Sequence, residues 1–166
     1  MSELTPEMCD NKSVGVVITN TEGELALLRR ARFPIGIAPP AGHIDDHGSP
    51  EQTAVDEVHE ELGLMISFGG LHKTAIQERR VDNQCRRPGG DHHNWTVFET
   101  NQFEGGLRPD PDETRGADWY EPELVQALAD RTRALQAGQI PQVDWEADPG
   151  LEEVWVDFLS ELGYVE

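Results

Sequence analysis

The chain has 166 residues, a length that fits one domain of the usual size of roughly 100–200 residues and is enough to bury a core without disulfides. Acidic residues number 32 against 13 basic, for a net charge of −19. Such a surface repels phosphate backbones and anionic membranes, which argues against nonspecific nucleic-acid binding and requires local positive charge or metal wherever an anionic substrate is held.

In chain order, Met1–Asp10 is polar and acidic and lacks the basic and apolar regions of a secretory leader. No stretch approaches the about 18 apolar residues that span a bilayer, so the expectation is a soluble, cytoplasmic protein. Cys9 and Cys85 are too few for a disulfide framework. Ser13–Asn20 reads as a buried strand, and Thr21-Glu22-Gly23-Glu24 as a hairpin turn into a second strand, Leu25–Ala31. Phe33–Gly42 carries three prolines and two glycines, which exclude a regular helix. His43–Gly48 is predicted as a short strand ending in a turn.

Ser49 then predicts a helix start: Ser49 at N-cap, Pro50 at N1 and Gln52 at N3 as the second half of a capping box. The helix is expected to run to about Leu62, with Gly63 as terminator and Val55, Val58 and Leu62 as its buried stripe. Leu71–Arg80 and Trp95–Thr100 are predicted strands around a polar loop, Val81–Asn94. Ala117–Tyr120 is a short strand, Glu123–Leu135 a helix, Pro141–Gly150 an irregular link and Leu151–Leu162 a final amphipathic helix. Strands on either side of one central helix, with a helix after the sheet, predict a mixed α/β sandwich. Lysine occurs only at Lys12 and Lys73, and so acidic a surface suits high salt, where self-repulsion is screened; a halophilic source is compatible with it.

The segment Gly42–Leu64 carries the chemistry. Glu57, Glu60 and Glu61 stand at i, i+3 and i+4 and share one helix face, expected opposite the apolar stripe. Like charges at this spacing cost about 0.2–0.5 kcal/mol per pair, which a cation would offset, and hard oxygen ligands select Mg2+ or Mn2+. A plain solvated acidic face is the alternative in a chain this acidic. The surrounding residues resemble the Nudix hydrolase superfamily, whose box reads G-x5-E-x7-R-E-U-x-E-E-x-G-U, with U apolar. Gly42 takes the place of the first glycine, within Pro40-Ala41-Gly42. Glu57-Val58-His59-Glu60-Glu61-Leu62-Gly63-Leu64 matches E-U-x-E-E-x-G-U without a gap. Gly48 replaces the first glutamate and Asp56 the arginine.

The resemblance covers most of Ser13–Leu135 and implies a Nudix-like α/β/α sandwich with a mixed sheet. It further implies Mg2+ (or Mn2+) bound by Glu57, Glu60 and Glu61, with carbonyl help from Ala41 or Gly42. One of the glutamates would orient or deprotonate water, and Glu113, with Asp112 next, would act as a further ligand or base. The implied activity is hydrolysis of the diphosphate linkage of a nucleoside diphosphate joined to another moiety. Its rivals are a nucleotide-binding or sensor domain that does not cleave, supported by Gly48 and Asp56, and isopentenyl diphosphate isomerisation, for which no matching cysteine motif is present. The expected organisation is a single domain over 1–166, with the box at 42–64 and a helical extension at about 136–166. The expected partner is a small nucleotide-type diphosphate; a homodimer stays open because homodimers are common in this superfamily.

The loop Cys85–Trp95 has three readings. Arg86 and Arg87 form an island of positive charge suited to gripping phosphate, and Trp95 is placed to stack on a base. Cys85, His92 and His93 are also zinc-ligand types, though their spacing matches no closed zinc motif. An ordinary hairpin loop with a core tryptophan is the plainer alternative. Arg29, Arg30 and Arg32 are read as strand-surface charges, with room for one of them to line the cleft. Trp145, Trp155 and Phe158 are expected to pack the C-terminal helix.

Overall fold

The computed structural model describes residues 8–71, 73–85 and 87–166, apart from the side chains of Asp46 and Lys73. The elements run β1 (Lys12–Ile18), β2 (Leu25–Arg30), β3 (Ile37–Ala38), β4 (Ala41–His43), a 3-10 turn (Asp45–His47), α1 (Pro50–Leu62), a second 3-10 turn (Phe68–Gly70), β5 (Lys73–Val81), β6 (His93–Thr100), β7 (Thr114–Tyr120), α2 (Pro122–Gln136), α3 (Gln142–Ala147) and α4 (Glu153–Glu161). The strands form a four-stranded sheet, β4-β1-β6-β5, and a three-stranded sheet, β3-β2-β7. β1 runs parallel to β6 and antiparallel to β4, so the larger sheet is mixed.

Side-chain alternation along β1 and β2 divides the core in two, because successive strand residues point to opposite faces. Val14, Val16 and Ile18, with Ala26 and Leu28, pack against Ala54, Val58 and Leu62 of α1. Val17, Leu25 and Leu27 pack instead against Val125 and Ala129 of α2 and Trp155, Phe158 and Leu159 of α4. The result is the α/β/α sandwich expected from the order of elements. The segment read as a helical extension therefore closes the second core: Trp155 is fully buried and meets Trp95 and Phe158 edge-on, with ring centroids 5.6 and 5.4 Å away. Each such aromatic pair adds about 0.5–1.5 kcal/mol beyond its area burial.

Most local signals hold, with instructive departures. Ser49 caps α1 by accepting the Gln52 N–H at 3.1 Å, and Gly63 ends it at a φ of 74°. Gln52 does not return the bond, since its side chain donates to Asp56 Oδ1 at 2.8 Å, so only half of the capping box forms. Val55 is half-buried, and the covered face of α1 consists of Thr53, Ala54, Val58, Glu61 and Leu62. The predicted strand His43–Gly48 gives way to β4 and the 3-10 turn, because β4 pairs with β1 only through His43. The link Pro141–Gly150 contains α3, which buries Trp145. Among the described residues, no helix is long and apolar enough to cross a membrane.

Candidate active site

The loop before α1 and the first sheet hold the helix so that its acidic face meets backbone. The Ala41 N–H on β4 donates to Glu61 Oε1 at 2.8 Å. Gly42 lies against Glu57, where a Cβ would collide with the Glu57 carboxylate; glycine is what permits the approach. Glu61 is only 7% exposed, so it lies beside the apolar stripe rather than opposite it, a correction to the helical-wheel reading. Its neighbour Glu60 stays exposed.

Burial governs the electrostatics. It pushes Glu57 up from 4.5 to about 8, with further contributions from the Glu61 and Glu60 carboxylates. It pushes Glu61 to about 8 as well, against the opposing pull of the Ala41 N–H and the Arg30 guanidinium. Glu113, from the turn before β7, raises both. Buried carboxylates that repel one another either hold protons or accept a cation. Oxygen donors of this kind, converging from one helix and one loop, fit Mg2+ or Mn2+.

These groups open onto a cleft of about 370 Å3, lined by Ala41, Gly42, Glu57, Glu60, Glu61 and Glu113. Arg30, Arg32 and Arg87 line the same cleft and bring positive charge to it. Arg30 is held between the Pro34 carbonyl, at 2.7 Å from its Nε, and Glu152, at 3.6 Å. Arg87 pairs with Asp45 at 2.8 Å. Arg29 points elsewhere and donates to the Glu146 and Ala147 carbonyls. Arg86 lies outside the described residues.

Three expectations change. Trp95, read as a stacking platform, is 5% exposed and packs edge-to-face with Trp155 and Phe158 in the aromatic core, although it is among the residues that line the cleft. His92 turns away to Asp91, at 2.7 Å, and plays no part in the cleft lining. Asp112 is not among the lining residues either, leaving Glu113 as the acid from that turn that reaches the cleft.

The position where the family's box carries arginine is also resolved. Asp56 does not face the other carboxylates alone: His47 Nδ1 lies 2.7 Å from Asp56 Oδ2, and His47 Nε2 lies 3.5 Å from Glu57 Oε1. Burial works against a charged His47, yet the hydrogen bond to Asp56 and the charges of Glu57, Asp56 and Glu60 raise its pKa overall. A histidine held by Asp56, cationic when protonated, thus stands beside Glu57. Sequence reasoning missed it, because nothing local ties residue 47 to residue 56 across the Ser49 cap. His43, Cys85 and His93, which also line the cleft, gather around Cys9, a foursome absent from the sequence reading.

Comparison with known proteins agrees with this architecture. The family described as NUDIX domain matches residues 10–158. A curated relative, an RNA pyrophosphohydrolase from Cellvibrio japonicus, is 42% identical over 52 residues, which span 31% of this chain and 31% of that protein. A MutT protein from Methanosarcina mazei superposes with a TM-score of 0.63 at 19% identity, covering 94% of each chain. A MutT NUDIX hydrolase from Burkholderia pseudomallei gives 0.53 at 24% identity, covering 68% of this chain and 84% of its own.

Proposed function

The chain belongs to the NUDIX domain family, and from that premise we propose that it hydrolyses the diphosphate linkage of a small nucleotide-type substrate, using Mg2+ or Mn2+ held by Glu57, Glu60 and Glu61. The observation that carries this reading is the convergence of Glu57, Glu60, Glu61 and Glu113 with Arg30, Arg32 and Arg87 on one cleft. Its volume of about 370 Å3 falls in the range of about 300–1,000 Å3 usual for small-ligand sites. The named activity of the Cellvibrio japonicus relative supports chemistry at a pyrophosphate bond, but the shared 52 residues cover less than a third of it. The net charge of −19 favours a small substrate over a long polyanion.

In this reading the arginines grip the diphosphate, Arg87 as the phosphate contact of the β5–β6 loop and Arg30 from β2. When bound, the divalent metal screens the charge that develops on the phosphoryl oxygens and makes water a better nucleophile. The chain does the rest. Ala41 N–H fixes Glu61, His47 and Gly42 fix Glu57, and Glu113 adds a further carboxylate to the cleft from the turn before β7. Glu60, the most exposed of the three box glutamates, is free to reach water or metal without leaving the helix.

The rival reading, binding without cleavage, rests on Asp56 and Gly48. Gly48 has a φ of 91°, so the turn there requires glycine where the family's box has glutamate. A panel of nucleotide-linked diphosphates, assayed with Mg2+ and Mn2+ for product and in parallel for calorimetric binding, separates the two. Turnover that chelator abolishes and metal restores is the expected result. Saturable binding with no product at saturating metal would remove the hydrolase reading and leave the family assignment intact.

A further inference from the structure

We propose that Cys9, His43, Cys85 and His93 hold one structural Zn2+ ion that clamps the β5–β6 loop to β4 and to the segment before β1. This goes beyond the hydrolase reading and does not depend on it, since the ligands are sulfur and nitrogen rather than carboxylate oxygen.

The geometry points there first. Among the described residues these four side chains bring their ligand atoms within 4.8 Å of one another. Cys9 Sγ lies 3.3 Å from His93 Nε2 and 3.4 Å from His43 Nε2, and Cys85 Sγ lies 3.5 Å from His43 Nε2. A tetrahedral zinc with Zn–S near 2.3 Å and Zn–N near 2.0–2.1 Å separates a sulfur from a nitrogen by about 3.5 Å. One ion at the centre therefore reaches all four with small adjustments. The sequence reading picked Cys85 and His93 but paired them with His92, which bonds to Asp91 instead; the missing two ligands come from Cys9 and His43, 76 and 42 residues upstream of Cys85.

The ligands are also oriented by their surroundings. His93 Nδ1 donates to Asn83 Oδ1 at 2.8 Å, which fixes the tautomer and turns the Nε2 lone pair toward the sulfurs. Each sulfur accepts a backbone N–H from two residues on: Asn11 to Cys9 at 3.4 Å and Arg87 to Cys85 at 3.3 Å. Cys9 N–H donates to the Pro88 carbonyl at 2.9 Å and Cys85 N–H to the Gly90 carbonyl at 2.7 Å, so the two cysteine turns are locked together. Gly90 leaves no room for a Cβ, which would strike Cys85 and press on Cys9.

Charge and softness select the ion. Two thiols release their protons to solvent on binding, and two thiolates with two neutral imidazoles cancel the charge of Zn2+. Cys9 and His93 are buried, and a neutral unit is what that burial accepts. The two clusters then discriminate by ligand type, hard carboxylates at Glu57 and Glu61 against soft sulfur here. The structural consequence is positional. His43 is the partner of Ser13, and His93 immediately precedes Asn94, the partner of Lys12, so both histidines lie at the start of β1, while Cys85 anchors the loop that carries Arg87 into the cleft.

The test uses the full-length protein, purified under reducing conditions without a metal-affinity tag from zinc-supplemented cells and equilibrated in Mg2+. Elemental analysis is expected to find about one zinc per chain, and X-ray absorption two sulfurs at about 2.3 Å and two nitrogens at about 2.0–2.1 Å. Cys9→Ser and Cys85→Ser should each lose the zinc, whereas Glu60→Gln should keep it. Should the serine variants fail to fold, a mercurial titration of the wild-type protein serves instead, with one zinc released per two thiols blocked. Zinc-free protein after this purification, a Cys9–Cys85 disulfide, zinc retained at full stoichiometry by folded serine variants, or mercurial modification of both thiols that releases none would each overturn the proposal.

Discussion

Two clusters beside the cleft are built in opposite ways. In one, Glu57, Glu60 and Glu61 come from little more than one helical turn, and their acidic character follows from spacing alone. In the other, Cys9, His43, Cys85 and His93 come from four separate segments and meet only because β1 lies between β4 and β6. The first cluster concentrates charge and is held under repulsion; the second gathers neutral or neutralisable donors. A locally encoded site is thus strained by its own charge, while one assembled by topology can be charge-balanced, and each calls for a different class of metal.

The largest expected effect strikes the acidic end. Glu61→Gln keeps the shape and still accepts the Ala41 N–H, yet it should lower kcat/KM by about 10²–10⁴-fold, the range for losing a positioned acid–base or charge-stabilising group. The same change removes one of two repelling buried carboxylates, so the metal-free Tm should rise. A variant with wild-type turnover would reduce the carboxylates to a solvated face.

Asp56→Ala comes next. It releases His47, whose Nε2 lies 3.5 Å from Glu57, so activity should fall by about 10–100-fold, as for groups that orient a metal ligand in other proteins. Unchanged activity would show that His47 is held by other means or is idle. Arg87→Ala should act on substrate affinity, raising KM while leaving kcat nearly unchanged, because the guanidinium meets ground state and transition state alike. An unchanged KM on the best substrate would make the loop structural only.

A pH series sharpens the comparison further. Glu57 and Glu61 sit at about 8 in the metal-free fold against an ordinary 4.5, so the folded state binds more protons than the unfolded one between those values. Metal-free stability contributed by these groups is therefore lost as pH rises from about 5 to about 8. Mg2+ competes with the protons, so the rise in Tm that it produces should grow over the same interval. Groups away from the carboxylates titrate alike in both samples and cancel. A Mg2+ effect that is flat with pH would contradict the burial argument. The smallest effect is a general one: moderate salt should raise Tm through screening of the net charge of −19, with little change on replacing any single surface acid.

The sequence by itself determined whatever is written in contiguous residues. The Ser49 cap, the Gly63 stop, the α1 carboxylates and the alternation along β1 and β2 are local, because cap bonds and strand periodicity operate within a few residues. Family resemblance extended this to the fold. Only the tertiary structure decided the rest. It buried Glu61 next to β4, turned Trp95 into the aromatic core with Trp155 and Phe158, set His47 between Asp56 and Glu57, and joined Cys9 to His93 across 84 residues. Those outcomes depend on which strand lies beside which, and no spacing along the chain encodes that adjacency: the long-range partner of a side chain is fixed by sheet order and by the packing of two cores, which form only when the whole chain folds.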